Sequence, residues 1–200
     1  MMKSFRGAGT SRQRGQSLVE FALVFPIFVV LLMGTIEFGL VFNGVLAVDY
    51  ASRNAALLAA EAGNSSGADC VILESVEQDI GAPADRTAIS TVQIYWADPD
   101  GDPKGSFVNV YTRGGGTTSC DYPDGSTLTE PYAATSLGYV DSSRCNALRG
   151  CGSGHTGLDT IGVRITYRHS WRTPLSGLIG LTGTGLTIVR SNAMRMEPVL

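Results

Sequence analysis

The feature that most constrains this 200-residue chain is a basic N-terminal segment followed directly by a long apolar run. Residues 1–15 contain four basic side chains and no acidic one, whereas residues 21–36 carry no charge. A helix of about 20 apolar residues crosses the hydrocarbon core of a bilayer. We therefore predict one membrane-spanning helix, with the span at about residues 21–42. Because the run is longer than the apolar part of a secretory signal, we expect it to stay on the mature chain.

The charges around this helix predict its orientation. Four basic residues precede the span and few lie just after it, and an excess of Lys and Arg marks the cytoplasmic side of a membrane. The whole chain has 15 basic and 18 acidic residues, so the part after the basic leader is acidic. An acidic exterior domain argues against a nucleic acid partner. We expect a single-pass protein of the cytoplasmic membrane with its N-terminus in the cytoplasm, its C-terminal domain outside, and the lipid bilayer as one partner.

Two carboxylates lie in or beside the predicted span. Glu20 stands at its start, five residues after Gly15, and Glu37 lies in its outer part. A carboxylate next to hydrocarbon is unfavourable, so each is expected to have a partner or a function. For Glu37 two interpretations remain open. Its side chain either reaches the outer headgroups or contacts a basic or polar group on a neighbouring helix.

Four short motifs carry a resemblance to a known family. Gly15 is followed by Gln16, and Phe21 comes directly after the glutamate of the apolar run. The other motifs are Phe-Ala-Leu-Val-Phe-Pro at residues 21–26, Ile-Glu-Phe-Gly at 36–39 and Met-Arg-Met-Glu-Pro at 194–198. Together they resemble the TadE family of minor pseudopilins from Flp/Tad-type pilus systems. The resemblance covers about residues 14–63 and the C-terminus, whereas residues 64–157 carry little of it.

The resemblance implies a processing site, an assembly contact and a set of partners. In pilin-like proteins a prepilin peptidase cuts after a glycine, so cleavage would fall between Gly15 and Gln16. Glu20 would then be the fifth residue of the mature chain and would pair with the amino terminus of another subunit during assembly. The implied partners are the prepilin peptidase, other pilins and pseudopilins, and the inner-membrane assembly platform. The implied role is structural, in pilus assembly.

An alternative function remains open at this point. The chain could be a membrane-anchored binding or secretion-associated protein that never enters a pilus and uses its cysteine-rich part for recognition.

The predicted helix continues past the span. Four alanines recur at every fourth position, which places them on one side of a helix. They are Ala47, Ala51, Ala55 and Ala59. Small residues at this spacing let another helix or a sheet approach closely, although alanine also favours helix formation by itself. We favour the packing interpretation and expect the helix to stop at Gly63.

The remaining sequence predicts a small antiparallel sheet. A second helix is expected at residues 68–80, where apolar residues recur on one face. The period then changes to two, which is typical of strands. Strands are predicted at residues 89–96, 107–113, 160–171 and 186–196, with a turn at 98–103 between the first two. Residues 114–157, rich in Gly, Ser, Thr and Tyr, are interpreted as a long insertion that contains three of the four cysteines.

The expected fold class is therefore α+β, with a long N-terminal membrane-spanning helix, a sheet built as a meander and a disulfide-bearing insertion. The back half of the long helix should cover one face of the sheet. We therefore predict that the chain has three parts: a basic leader at residues 1–15, the transmembrane and extended helix at 16–63, and an extracytoplasmic α+β domain at 64–200.

Four cysteines lie in the part assigned to the exterior. They are Cys70, Cys120, Cys145 and Cys151. In an oxidising compartment an even number predicts two disulfides, which four cysteines can form in three pairings. Cys145–Cys151 with Cys70–Cys120 is one plausible pairing, and a Cys120–Cys145 bridge is nearly as plausible. A metal site would favour closer cysteine pairs, so no metal ligand is predicted.

Catalytic motifs are not found in the sequence. The chain has two histidines, His155 and His169, and no nucleophile elbow, phosphate loop or zinc-binding helix motif. Gly114–Gly116 is interpreted as a flexible loop, and the acidic cluster Asp98–Asp102 as a solvated turn that lacks the spacing of a calcium loop. We therefore predict no catalytic residue, no metal and no cofactor.

Overall fold

The computed structural model describes residues 11–146, 151, 155, 157–174, 177 and 185–196, with the side chains of the first helix described from residue 15 onward. The chain divides into two compact units. The first unit comprises Met1–Gly39 and Arg172–Thr182, and the second comprises Leu40–Trp171 and Gly183–Leu200.

The first helix, α1, runs from Ser11 to Ala62 and contains Pro26 in its interior. It ends at Ala62 because the next residue, Gly63, adopts a left-handed conformation with φ of 57°. The N–H of Gly63 donates to the carbonyl of Ala59 at 3.1 Å, which satisfies one of the last carbonyls of the helix. A Cβ at this position would collide with the side-chain amide of Asn146. The predicted stop at Gly63 is confirmed.

The part of α1 that belongs to the second unit packs into that unit's core. Ala51, Ala55 and Ala59 are fully buried there, whereas Ala47 is half-buried. A second helix, α2, spans Ala68–Asp79 and contributes Ile72, Leu73 and Val76 to the same core. The burial of these alanines in the core confirms the packing interpretation of the alanine repeat.

A five-stranded sheet provides the other side of this core. Its strands are β1 (Ile89–Ala97), β2 (Pro103–Asp121), β3 (Thr127–Leu137), β4 (Thr160–Ser170) and β5 (Gly185–Arg195). They lie in the order β3-β2-β1-β4-β5, and every neighbouring pair is antiparallel. Alternate side chains of β4 enter the core, with Ile161, Val163 and Ile165 fully buried. The predicted α+β class with an antiparallel sheet is confirmed.

The second helix and the strands predicted at β1, β4 and β5 agree with the structure to within a few residues at each end. The turn between β1 and β2 is also confirmed. The carboxylate of Asp98 accepts the N–H groups of Asp100 and Asp102, both at 3.0 Å, and this closes the turn.

The interpretation of residues 114–157 as an insertion outside the sheet was wrong for its first half. β2 continues to Asp121, and β3 pairs with it along the edge of the sheet. Gly114–Gly116 therefore lies within β2 and is not a loop. The register shifts between Arg113 and Thr118, which is a bulge that glycines with positive φ accommodate. Most of β3 is exposed, so it lacks the apolar alternation that would have predicted a strand.

The expected meander is correct for β1, β2 and β3 but wrong for β4. After β3 the chain returns to the opposite side of β1, where β4 pairs along Ile89–Trp96. β1 thereby becomes the central strand. This position suits a strand with buried residues on both faces, since Val92 and Ile94 enter the core and Tyr95 is buried on the opposite side.

Candidate assembly site

The predicted processing and assembly residues lie on the first part of α1. Gly15 and Gln16 are exposed, and a Cβ at Gly15 would meet nothing within 4 Å. The side-chain amide of Gln16 donates to a carboxylate oxygen of Glu20 at 3.1 Å, across one helical turn. Residues 1–10 of the predicted leader lie outside the described residues. The structure thus presents the glycine and the glutamate on an accessible helix surface.

The helix surface after Glu20 is apolar and exposed. Its large exposed side chains include Phe21, Leu23, Val24, Ile27, Phe28 and Leu31. Within the described residues, α1 is the one helix long and apolar enough to cross a membrane, and none of its most apolar window is buried. A continuous apolar surface of this kind marks contact with a membrane or with other proteins.

Glu37 has partners that the sequence analysis did not consider. Its side chain is buried, with 6% exposure, and lies on the helical part of the first unit. The backbone N–H of Arg172 donates to both carboxylate oxygens, at 3.1 and 3.2 Å, and the N–H of Thr173 donates to one of them at 2.8 Å. Peptide groups 135 residues away leave no side-chain pattern in the sequence, so no local signal could have identified them.

Two disulfides join elements of the second unit. Cys70 on α2 pairs with Cys120 on β2, and Cys145 pairs with Cys151. The structure thus contains the two bridges that the even cysteine count predicts, and it selects one of the pairings that the sequence left open. The first bridge closes a long stretch of chain, with a sequence separation of 50, and the second a short one, with a separation of 6.

A buried polar cluster centred on Asp69 occupies the same unit. One carboxylate oxygen of Asp69 accepts from the side-chain amide of Asn109 at 2.7 Å and from the hydroxyl of Tyr111 at 2.5 Å. The other oxygen pairs with the guanidinium of Arg144, which is fully buried. Burial raises the pKa of Tyr111 above its ordinary value, and the neighbouring Asp69 carboxylate raises it further. Tyr111 is therefore a neutral hydrogen-bond donor in this cluster.

The cluster continues through Tyr139 to a second carboxylate. The carbonyl of Tyr139 accepts from Asn109 at 2.8 Å and from Arg144 at 3.1 Å, and its hydroxyl donates to Asp159 at 2.7 Å. Asp159 also accepts the N–H of Cys145 at 2.9 Å and lies 2.6 Å from Nδ1 of His155. Burial, followed by the Asp159 contact, raises the pKa of Tyr139. These hydrogen bonds connect several loops to the core, and the cluster therefore has a structural role.

The sequence analysis missed these residues. Asp69 lies in the first turn of α2, where the helix dipole by itself favours an acid, so its position did not indicate a buried partner. The apolar run Cys70–Leu73 directly after Asp69 was the available signal that this end of α2 is buried.

The histidines and the acidic turn have other contacts. His155 stacks on the ring of Trp96 with centroids 4.2 Å apart, and His169 lies near the end of β4, edge-on to Trp171 at 5.9 Å. Asp102 of the acidic turn pairs with Arg164 at 2.7 Å. Across the part of the chain that the structure describes, no group of three or more His, Cys, Asp or Glu residues could hold a metal ion.

A cavity of about 450 Å³ lies beside the buried cluster. Its lining includes three carboxylates, those of Asp69, Asp121 and Asp141. Each is already bonded within the chain, since Asp121 accepts from Thr127 at 2.8 Å and Asp141 from the N–H of Gly67 at 3.2 Å. This arrangement stabilises the loops around the cavity and gives no evidence for a ligand.

An exposed apolar helix that continues into a disulfide-bonded α+β domain defines the class of the molecule, a single-pass membrane protein. Residues 15–57 match the family model of TadE-like proteins, which confirms the resemblance inferred from the sequence. The family is associated with the Tad pilus and is typically structural, not enzymatic. The matched segment contains Gly15, Gln16, Glu20 and Glu37 and ends before the sheet. No curated protein and no solved structure matches the chain.

Proposed function

We propose that this protein is a minor pseudopilin of the TadE type, which contributes to the assembly of a Flp/Tad-type pilus at the inner membrane. The observation that carries the proposal is the exposed apolar surface of α1 with Glu20 at its start, inside the segment that matches the family. Such a helix resides in the bilayer and later transfers into a bundle of similar helices. Its partners are the prepilin peptidase, other pilins and pseudopilins, and the assembly platform.

The proposal includes an orientation and a division of the chain. The basic leader, residues 1–15, remains in the cytoplasm, α1 crosses the membrane, and the domain after Gly63 lies outside. Two disulfides in the second unit support an oxidising compartment for that part of the chain.

The proposed mechanism is electrostatic. Cleavage after Gly15 creates a positively charged amino group at Gln16, and the Glu20 carboxylate of an incoming subunit pairs with such an amine on a subunit already in the bundle. In a low-dielectric environment this attraction is stronger than in water. The exposure of both Gln16 and Glu20, and their adjacency on the helix surface, support such an exchange of partners.

The experiment that tests the proposal is intact-mass measurement of the protein extracted from membranes of cells with an active prepilin peptidase. We expect loss of residues 1–15, and we expect the protein in the sheared pilus fraction or in complexes with other pilins. Gly15→Leu should retain the leader. Gly39→Leu is the matched control, because Gly39 lies on the same helix and a Cβ there also meets nothing within 4 Å.

A mature chain that begins at Met1 in such cells would overturn the proposal. Cleaved protein that never associates with pilins would instead support the membrane-anchored binding or secretion-associated function.

A further inference from the structure

Both carboxylate oxygens of Glu37 accept peptide N–H groups of the same chain. A carboxylate in an apolar helix needs such compensation. Hydrogen bonds to a charged acceptor are about twice as strong as neutral ones. The contact therefore holds Arg172 and Thr173 at one level of α1, and all three residues belong to the first unit.

This contact lies on α1 at nearly the thickness of a bilayer from Glu20. Glu37 lies 17 residues after Glu20, and a rise of 1.5 Å per residue places it about 25 Å further along the axis. The hydrocarbon core of a bilayer is about 30 Å thick. With Glu20 at the cytoplasmic boundary, Glu37 and the peptide groups bound to it lie close to the opposite boundary.

The residues at this point have the chemistry of a membrane interface. Trp171 and Arg172 directly follow β4, and tryptophan is enriched at the boundary between headgroups and hydrocarbon. Arg172 is exposed, and an arginine can place its stem along apolar surface and its charge among phosphates. From Thr173 to Val189 the sequence has no ionisable side chain. No charged side chain in this stretch therefore opposes proximity to lipid.

We propose that Arg172 and Thr173 form a second membrane-contact point, which binds the phospholipid surface on the side opposite the N-terminus, with Glu37 as the positioning residue that holds them there. Trp171, which a peptide bond joins to Arg172, serves as the reporter of this contact. The inference rests on the membrane anchoring proposed above and does not depend on entry into a pilus. It assigns Glu37 an intramolecular role that differs from a contact between subunits.

The two tryptophans of the chain, Trp96 and Trp171, allow a direct test. The full-length protein is reconstituted in phosphatidylethanolamine and phosphatidylglycerol vesicles that contain a lipid brominated near its headgroup. We expect the lipid to quench the tryptophan fluorescence, and we expect Trp171→Phe to lose at least half of that quenching. Trp96→Phe, in which Trp171 is the remaining tryptophan, should retain it.

The role of Glu37 is tested in the same vesicles. Glu37→Ala should reduce the quenching of Trp171 at least twofold, and Glu37→Gln, which keeps one acceptor oxygen, should give a smaller reduction. Glu61→Ala is the matched control, since Glu61 is an exposed acid at the other end of the same helix. Peptide mapping of both disulfides verifies that each variant has folded.

Flotation of the vesicles separates this inference from the anchoring itself. Protein that floats with the vesicles while Trp171 remains unquenched overturns the inference and leaves the anchoring intact. Protein that does not float overturns both. Quenching of Trp171 that is unchanged in Glu37→Ala overturns the positioning role of Glu37.

Discussion

The guanidinium of Arg144 forms an ion pair with the carboxylate of Asp69, a residue 75 positions earlier in the chain. Arg144 is fully buried and also lies against the ring of Tyr139, with its guanidinium carbon 5.0 Å from the centroid. The pair connects the first turn of α2 to the segment after β3. It therefore joins parts of the second unit that the chain itself does not bring together.

Arg144→Met should destabilise the folded second unit by about 3–5 kcal/mol, because Asp69 would remain buried without its cation. Asp69→Asn should have a similar effect, since it leaves the guanidinium without its anion. Urea unfolding in detergent, followed by far-UV circular dichroism, measures the change in the free energy of unfolding.

The control for this prediction is Arg53→Met. Arg53 and Asp49 form a pair on α1 whose side chains are 67% and 40% exposed. Exposed pairs contribute between about 0 and 1 kcal/mol. Equal effects of Arg53→Met and Arg144→Met would contradict the importance of burial.

The two disulfides should contribute unequally to stability. In the chain-entropy model, the gain grows with the length of chain that the bridge closes. With separations of 50 and 6, the model gives about 4 kcal/mol for Cys70–Cys120 and about 2 kcal/mol for Cys145–Cys151. Paired serine variants of each bridge, unfolded in urea, measure the difference. A larger loss from removal of the short bridge would contradict this ranking.

Stability should fall at alkaline pH through Tyr132. Burial raises the pKa of its hydroxyl to about 12, although Arg113 nearby acts in the opposite direction, and the hydroxyl donates to Glu77. Because the pKa of Tyr132 is higher in the folded state than in the unfolded state, its neutral hydroxyl stabilises the fold fully below about pH 10. It is lost as the pH rises from about 10 to about 12.

Unfolding free energies measured between pH 8 and pH 12 check this prediction, with the pH values chosen to bracket the ordinary tyrosine pKa of about 10. Tyr132→Phe should have a shallower alkaline decrease than the unchanged protein. Tyr50→Phe is a suitable control because Tyr50 is 62% exposed on α1. Identical pH profiles for the unchanged protein and Tyr132→Phe would be evidence against a contribution from this hydroxyl.

Glu20→Ala and Glu20→Gln should insert, lose the leader and fold normally, yet enter pili at least about tenfold less. Loss of an attraction of about 1.4 kcal/mol already weakens an association constant by a factor of ten. Both variants remove the charge, and the second keeps the shape. The amount in the sheared pilus fraction, relative to that in the membrane, is the measurement, with Glu61→Gln as an exposed control on the same helix. Assembly of both Glu20 variants at the unchanged level would remove the central contact of the proposed mechanism.

Local patterns were sufficient for much of the architecture. The unbroken apolar run predicts α1, Gly63 predicts its end, and the period of two predicts β1, β4 and β5. Each of these signals concerns neighbouring residues, whose side chains report directly which face of an element is buried. β3 gave no such signal because most of its residues are polar or small and lie in solvent.

By itself the sequence determined that the chain has a long apolar helix, an α+β domain and four cysteines available for two disulfides. The tertiary structure decided the partners, which were Cys120 for Cys70, Arg144 for Asp69, and the peptide groups of Arg172 and Thr173 for Glu37. Composition and periodicity describe what a residue needs, such as burial or a hydrogen-bond donor. Which distant group meets that need depends on how the strands are ordered, and backbone donors are the same at every position in the chain.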